Sequence, residues 1–294
     1  MDERAALRLL SDELAAAGDD AAAVDGLVVT TDMLHERTDF PAGTSRYTAG
    51  WRAVGASLSD VAAMGADATA AVAAYAAPSF DRGELLDFVR GARDVCERVD
   101  AEYVGGDLDG HEEFTVSTTA IGRTDDPVPR SGARPGDLVC VTGTFGRSAA
   151  ALRLFERGDA ERANDLFRFD PRVATGRALA PHATALMDSS DGLARSLHQL
   201  AEASDCGFAI ESESVPIADA VCEVAANDDQ ALELATTFGE DFELVATVPD
   251  RSVAAVRNAT DVSLSVIGTV RDADEGERVT MDGESLPDRG YTHG

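Results

Sequence analysis

The sequence of 294 residues contains no lysine, and all 25 of its basic residues are arginine. Without lysine it cannot contain a G-x-x-x-x-G-K-[ST] loop, so any use of ATP is not of the P-loop type. Acidic residues number 54, which leaves a formal net charge of −29. Because no basic patch is present to neutralise phosphates, we expect no nucleic-acid partner.

The same charge balance points to an unusual solvent. Surface carboxylates keep a protein hydrated in concentrated salt, where their repulsion is screened within about 3 Å at 1 M. The composition therefore favours a halophilic protein, from a source whose cells contain molar salt.

Long apolar runs, histidine pairs and cysteine pairs are also missing. No apolar run approaches 18 residues and the first residues lack a secretion-signal pattern, so we expect a cytoplasmic protein with no membrane partner. The five histidines show no H-x-x-x-H spacing and the four cysteines no C-x-x-C pair. We expect reduced, mostly buried thiols, no zinc site and no histidine-based triad.

Strand and helix patterns alternate through both halves of the chain. The first half predicts helices over 3–17, 47–64 and 81–99, strands over 27–31, 69–76 and 114–122, and a short strand that ends at Gly105-Gly106-Asp107. The second half predicts strands over 138–142, 185–187, 208–211, 242–248 and 264–270, with helices between them. Residues 124–137 hold three prolines and two glycines, which is typical of a linker. We therefore expect an α/β (α+β) protein of two domains, residues 1–130 and 131–294.

The informative residues are aspartates that stand beside glycine, serine or threonine at the ends of predicted elements: Asp20, Asp32, Asp60, Asp107, Asp188 and Asp191. Each alone is typical of a turn or a helix cap. Several carboxylates brought together need a positive group between them, and Mg²⁺ arriving with substrate phosphates is the usual one. The chain thus indicates a magnesium-dependent enzyme that handles phosphates.

Four of these aspartates carry a local physical argument. Alternation along a strand places Thr30 and Asp32 on one face. Asp60 lies in an Ala-rich apolar helix, where a carboxylate is costly to bury unless it is paired or bound to metal. Asp188 and Asp191 flank a predicted strand-to-helix junction, where the N–H groups of the helix favour phosphate.

Taken in order, eight segments resemble the thiamine-monophosphate kinase family, which belongs to the superfamily related to aminoimidazole ribonucleotide synthetase. The resemblance covers nearly the whole chain. It rests on residues 18–22, 28–34, 58–66, 105–107, 130–137, 141–144, 188–193 and 239–244.

The resemblance implies an ATP-dependent kinase of thiamine biosynthesis that converts thiamine monophosphate to thiamine diphosphate. It implies a two-domain fold in which the N-terminal sheets of two subunits pair, giving a homodimer. Its cofactor would be Mg²⁺, with ATP as co-substrate.

The resemblance also assigns roles to individual residues. The implied metal ligands are Asp20, Thr30, Thr31, Asp32, Asp60, Asp107, Asp188 and Asp191. The implied ATP contacts are Gly106, Asp107, Arg130 and Ser190. The implied substrate contacts are Glu240, Tyr291 and the position of Asp39, where the family usually has a histidine.

Two other interpretations stay open at this stage. One is another ATP-dependent member of the superfamily, such as a purine-pathway ligase, which would share the aspartate-rich site. The other is a non-catalytic acidic binding protein. The second predicts that Mg²⁺-ATP leaves the melting temperature unchanged, whereas specific binding raises it.

Overall fold

Two β-sheets, one in each half of the chain, organise the fold. The computed structural model describes residues 10, 13–14, 16–273 and 277–290. Sheet residues fall between 22 and 123 for the first sheet and between 137 and 285 for the second. This confirms the mixed α/β prediction. Most of the helix predicted over residues 3–17 lies outside the described residues.

The first sheet has five strands in the order β1-β2-β5-β3-β4, of which only β3 and β4 run parallel. Its strands are β1 (Ala22–Val24), β2 (Leu27–His35), β3 (Asp67–Ala77), β4 (Glu102–Gly110) and β5 (Thr115–Arg123). Its helices are α1 (Glu36–Asp39), α2 (Arg46–Ala63) and α3 (Arg82–Glu97). β1 and α1 were not predicted, and β4 continues through Gly105-Gly106 instead of ending there.

Alternation along the strands gives this sheet one buried and one exposed face. On β2, Val28, Thr30 and Leu34 are buried, whereas Val29, Thr31 and Met33 are exposed. Helices α2 and α3 pack on the buried face. The exposed face keeps large apolar side chains in water, with Met33 59% and Val104 58% exposed.

Helices α2 and α3 begin at polar caps and cross where glycines remove side chains. The Ser45 hydroxyl accepts from Thr48 N, and the Asp81 carboxylate accepts from Gly83 N and Glu84 N. A Cβ at Gly50 would lie 2.1 Å from the Phe88 carbonyl oxygen. A Cβ at Gly91 would lie 1.9 Å from the Tyr47 carbonyl oxygen, so the two backbones are nearly in contact.

The second sheet has seven strands in the order β12-β11-β8-β10-β6-β9-β7. They are β6 (Asp137–Thr142), β7 (Ala185–Asp188), β8 (Gly207–Ile210), β9 (Leu244–Pro249), β10 (Leu264–Arg271), β11 (Val279–Met281) and β12 (Glu284–Ser285). Its helices are α4 (Arg147–Glu156), α5 (Ala160–Phe167), α6 (Val173–Leu179), α7 (Leu193–Ser204), α8 (Asp219–Val224), α9 (Asp228–Thr237) and α10 (Asp250–Ala259). The sequence patterns missed α5, α9 and the two short strands β11 and β12.

Residues 124–136 join the two sheets without forming a helix or a strand. The boundary placed between residues 130 and 131 falls in this segment and stays a prediction. Across it, the end of α2 packs into the second half, where Ala62 and Ala63 share a core with Leu186 and Leu244. Helix α2 is therefore buried by both halves of the chain, and it brings their functional residues together.

All four cysteines are free; three are buried and Cys222 is exposed. This agrees with the expectation of reduced, mostly buried thiols. None of the helices in the described part of the chain is long and apolar enough to cross a membrane.

Gly91→Ala should destabilise the protein because the added methyl must push α2 away from α3. Overpacking of this kind costs about 1–3 kcal/mol, and a backbone atom in the way places this position at the upper end. The measurement is urea unfolding in molar KCl. Gly110→Ala is the matched control, since a Cβ there meets no atom within 4 Å. Equal stability of the two variants would show that the helices separate at no cost.

Candidate active site

Three carboxylates from distant parts of the chain meet where the two halves join. Oxygens of Asp20, Asp60 and Asp188 lie within 4.8 Å of one another. Asp20 precedes β1, Asp60 lies in the last turn of α2, and Asp188 ends β7. The fold thus brings together three of the aspartates that the sequence analysis singled out.

Helix α2 holds this cluster through short hydrogen bonds. Thr30 Oγ1 donates to Asp60 Oδ2 at 2.5 Å, which links the helix to β2. Ser59 Oγ donates to Asp188 Oδ2 at 2.6 Å, which links the same helix to β7. Buried carboxylates need such donors, so the positions of these side chains are fixed on both sides of the junction.

The same helix also orients Asp32. Ser57 Oγ donates to Asp32 Oδ2 at 2.6 Å and lies 2.7 Å from Thr118 Oγ1. Thr30 and Asp32 therefore point to one face of β2, as alternation predicts. Thr31 points to the other face, where its hydroxyl donates to the Thr118 carbonyl at 2.8 Å.

Burial and mutual repulsion disfavour ionisation of these carboxyls. Burial, followed by the charge of Asp20, raises the pKa of Asp188 to about 7. Burial also raises the pKa of Asp60 well above its ordinary value, with Asp32, Asp188 and Asp20 adding to the effect. The cluster is thus short of positive charge when it is ionised.

Arg130 supplies one positive charge to the cluster. Its Nε and Nη2 each lie 3.0 Å from an oxygen of Asp20, in a two-pronged pair. Burial alone lowers the pKa of Arg130, but Asp20, Asp188 and Asp60 outweigh burial and raise it above the ordinary value. One arginine against three carboxylates leaves room for a cation, and closely spaced carboxylate oxygens are ligands that suit Mg²⁺.

The loop after β7 places two further predicted residues beside the cluster. Ser190 N donates to Asp188 Oδ1 at 3.1 Å. Asp191 follows it, partly buried, just before α7 begins at Leu193. The first N–H groups of a helix have no partner within that helix, and this helix begins just after Asp191, which is favourable for a phosphate.

Asp107 and Gly106 lie elsewhere in the same subunit. They belong to β4, the edge strand, and both β5 and β3 lie between it and β2. At about 4.8 Å per strand, the backbones of Asp107 and Asp32 are roughly 14 Å apart. Asp107 is exposed there and accepts from Leu108 N at 2.9 Å. One chain alone does not bring it to the cluster.

The substrate contacts implied by the resemblance are placed in different ways. Asp39 is 7% exposed, and its Oδ2 accepts from His35 N at 2.7 Å and from Thr38 Oγ1 at 2.8 Å. Its carboxylate therefore connects the end of β2 to helix α1. Glu240 is paired with Arg52, an ion pair that sequence reasoning missed. Tyr291 lies outside the described residues.

Arg52 and the serines of α2 left a weak signal in the sequence. Each is a polar residue within an otherwise apolar helix. Trp51, Val54, Leu58 and Val61 recur at helical spacing in the sequence and form the buried stripe of this helix. A polar residue beside such a stripe on a helix buried all round must find a partner. The sequence does not show which partner that is.

Comparison with known proteins assigns the family. The family model "AIR synthase related protein, N-terminal domain" matches residues 18–124, and the model of the C-terminal domain matches residues 134–280. The thiamine-monophosphate kinase of Halobacterium salinarum is 65% identical over 293 residues, with 100% of each chain covered. This chain belongs to the thiamine-monophosphate kinase family. The family's enzyme from Methanospirillum hungatei is 42% identical over 270 residues, covering 91% of this chain and 88% of that one.

A solved structure of the family carries the same fold. AaThiL, crystallised with AMPPCP and TMP, superposes with a TM-score of 0.88 at 28% identity, covering 99% of this chain and 97% of that one. The match extends over both halves of the chain, so the likeness includes the junction where the aspartates meet.

Asp188→Asn should change how the metal-free protein responds to pH. Burial raises the pKa of Asp188 to about 7, so the stability of the metal-free protein is full below the ordinary carboxyl pKa of about 4 and is lost as pH rises to about 7. In molar KCl with a chelator, wild-type stability should fall between about pH 4 and pH 7, and Asp188→Asn, which has no carboxyl to ionise, should lose about 1–2 kcal/mol less. Thermal unfolding measures both.

Mg²⁺ should raise the melting temperature of the wild type and have little effect on Asp188→Asn. Asp137→Asn is the control. The buried carboxylate of Asp137 accepts from Arg134 N. The backbone of Asp137 pairs with Pro249 at one end of β9, whereas Asp188 pairs with Leu244 at the other end. A wild-type Mg²⁺ response in Asp188→Asn would exclude Asp188 from the cation site.

Proposed function

We propose that this protein transfers the γ-phosphoryl group of ATP to thiamine monophosphate and so makes thiamine diphosphate. The observation that carries the proposal is the cluster of Asp20, Asp60 and Asp188 at the junction of the two halves. It occurs in a chain of the thiamine-monophosphate kinase family, whose solved member binds an ATP analogue and TMP together. These relatives do not favour a purine-pathway ligase or a non-catalytic protein.

The chemistry needs charge compensation more than a base. The acceptor is a phosphate, which is already ionised near pH 7, and its main obstacle is repulsion from the phosphates of ATP. Bound Mg²⁺ supplies positive charge that offsets this repulsion and aligns the two anions. Of the chain's own residues, the three clustered aspartates and Asp32 would hold the metal.

The remaining groups near the cluster would bind the phosphates directly. Arg130 lies at the cluster with its guanidinium on Asp20, and a guanidinium is well matched to phosphate oxygens. Ser190 and the start of α7 offer hydroxyl and N–H donors beside Asp188 and Asp191. We assign to these groups the orientation of the transferred phosphoryl group.

A second feature of the first sheet fits the nucleoside part of ATP. A cavity of about 390 Å³ lies between β4 and α3, lined by Tyr75, Phe88, Val89, Tyr103 and the glycines 105 and 106. Apolar and aromatic walls suit a flat adenine ring, and glycines let the backbone approach a ligand closely. We place the adenosine in this cavity, with the backbone of Gly106 against it.

Geometry within one chain then argues for a homodimer. The exposed face of the first sheet carries Val29, Met33, Val104 and Ile121, an apolar surface that a second copy would cover. Thr31 points to this face, and Asp107 lies at its edge. We infer that the Asp107 of a second subunit approaches the cluster of the first, so that each active site uses both subunits.

We further propose that the enzyme works in the cytoplasm at molar salt. The net charge of −29 supports this proposal, because such a surface is strongly self-repelling in dilute buffer. The assays below are therefore set in molar KCl.

Wild-type protein with ATP, Mg²⁺ and thiamine monophosphate should yield thiamine diphosphate and ADP in equal amounts, read by mass spectrometry. Asp60→Asn should lower kcat at least about a hundredfold, because the variant loses a ligand of the cation that offsets phosphate repulsion. An unfolding midpoint no lower than that of the wild type would show that the loss of activity is chemical.

Two parallel reactions make the assay decisive. Asp137→Asn should keep wild-type activity, since it lies away from the cluster. An aminoimidazole precursor offered instead of thiamine monophosphate should give no product. Turnover of that precursor, with none of thiamine monophosphate, would overturn the kinase assignment.

Mixing two inactive variants tests the shared site. After subunit exchange, Asp60→Ala and Asp107→Ala should together recover roughly a quarter of wild-type activity, since half of the dimers gain one intact site of two. Asp60→Ala mixed with Asp188→Ala is the control and should stay inactive, because those two residues belong to one chain's cluster. No recovery in the first mixture would contradict the placement of Asp107 across the interface.

A further inference from the structure

A buried arginine crosses the junction between the two halves of the chain. Arg52 lies in α2, and its side chain is 2% exposed. Its guanidinium carbon stands 3.6 Å from the centre of the Phe167 ring and 5.5 Å from that of Phe242. Phe242 in turn stacks on Phe169 at 4.1 Å. The arginine is thus enclosed by aromatic rings of the second half.

The donors of Arg52 are directed at two backbone carbonyls, one carboxylate and, at 3.5 Å from Nη1, the Ser148 hydroxyl. Nη1 donates to the Phe167 carbonyl at 2.5 Å. Nη2 donates to the carboxylate of Glu240 and lies 3.4 Å from the Glu240 carbonyl. A buried guanidinium keeps its charge only when it is paired, and Glu240 is that pair.

The backbone of Glu240 is fixed from two other sides. Its N–H donates to the Ser190 carbonyl at 2.6 Å, and its carbonyl accepts from Ser148 Oγ at 2.6 Å. The φ angle of +64° at Glu240 lies in the left-handed region. Gly239 allows this close approach, since a Cβ there would lie 2.7 Å from the Ser190 carbonyl oxygen. With the backbone held, the direction of the carboxylate depends on Arg52.

Arg52 leaves part of that carboxylate available. It holds Oε2, and no hydrogen bond among the described residues involves Oε1. Glu240 is partly exposed, whereas its neighbours Asp241 and Glu243 are buried. One oxygen is therefore fixed by the protein, and the other can meet a ligand.

We propose that Arg52 is a positioning residue for the phosphoryl acceptor, which aims the Glu240 carboxylate at the cationic thiamine part of thiamine monophosphate. The proposal rests on the proposed function and on the family resemblance, which implies that Glu240 contacts that substrate. Arg52 acts through Glu240 and does not itself touch the reacting atoms.

The helix that carries Arg52 gives the arrangement a further consequence. Asp60 follows eight residues later on α2, a rise of about 12 Å along the helix axis. One rigid element therefore sets the separation between the acceptor's thiamine end and the metal cluster. When the Glu240 carboxylate is correctly oriented and binds the thiamine end, the phosphate of the acceptor lies at the cluster.

Steady-state kinetics of Arg52→Met in molar KCl tests the proposal. The KM for thiamine monophosphate should rise about ten- to a hundredfold, while kcat and the KM for ATP stay within about threefold. Arg52→Lys should fall between wild type and Arg52→Met, because it keeps the charge but loses the fork of donors. If Arg52→Met does not fold, Arg52→Lys tests the proposal in its place: its KM for thiamine monophosphate should rise while its kcat and its KM for ATP stay nearly unchanged.

Arg172→Met is the matched control. Arg172 makes a largely buried pair with Glu243, through its Nε at 2.7 Å and Nη2 at 2.5 Å, and makes no hydrogen bond or ion pair with Glu240 among the described residues. It should lower the melting temperature as Arg52→Met does and leave the KM for thiamine monophosphate unchanged. A similar rise in that KM in both variants would show a general loss of structure and overturn the proposal.

Calorimetric binding of thiamine monophosphate without ATP adds a readout that does not depend on turnover. Arg52→Met and Glu240→Gln should each weaken binding, and the double variant should be no weaker than the worse single variant. Additive losses would show that Arg52 does not act through Glu240. A wild type that neither binds nor phosphorylates thiamine monophosphate would instead reject the proposed function, and the role of Arg52 with it.

Discussion

Repulsion among carboxylates is the constraint around which this molecule is built. Asp20, Asp60 and Asp188 lie within 4.8 Å of one another, Arg130 is the one base paired with them among the described residues, and the sequence contains no lysine. A metal-free cluster of this kind opposes folding, because each ionised carboxyl raises the cost of ionising the next. The surrounding structure must therefore be stable enough to hold the carboxylates together until a cation and phosphates arrive.

Helix α2 meets that requirement because it belongs to two cores at once. Its apolar stripe packs in the first half through Val54, Leu58 and Val61, and its last turn packs in the second half through Ala62 and Ala63. Buried apolar contacts on both sides offset the cost of its polar residues. Because Ser57, Ser59 and Asp60 are neighbours on this helix, the positions of Asp32 and Asp188 are fixed relative to each other by one rigid element.

Periodicity in the sequence predicted helices α2 and α3, strands β2, β3 and β5, the mixed fold and the shared face of Thr30 and Asp32. Periodicity could not predict that residues 20, 60 and 188 meet, since that depends on how two sheets pack about α2; the family resemblance implied it by assigning all three to one metal site. Arg52 and Ser57 were missed for the same reason, because their partners lie 188 and 25 residues away. Asp39 shows what a family motif leaves open: its implied substrate contact stays a prediction, and in the structure its Oδ2 accepts from His35 N at the end of β2.

A site made of carboxylates and a cation discriminates poorly between phosphate acceptors, because the cation attracts the negative charge of any phosphate. Selection of one acceptor must then come from groups that recognise the rest of the molecule, away from the cluster. Glu240 is such a group, because a fixed carboxylate attracts a cationic ring and repels an anionic one. It can discriminate only if its direction is constant, and a partly exposed glutamate has several rotamers in water. The buried charge of Arg52, held between aromatic rings at the junction of the two halves, removes that freedom.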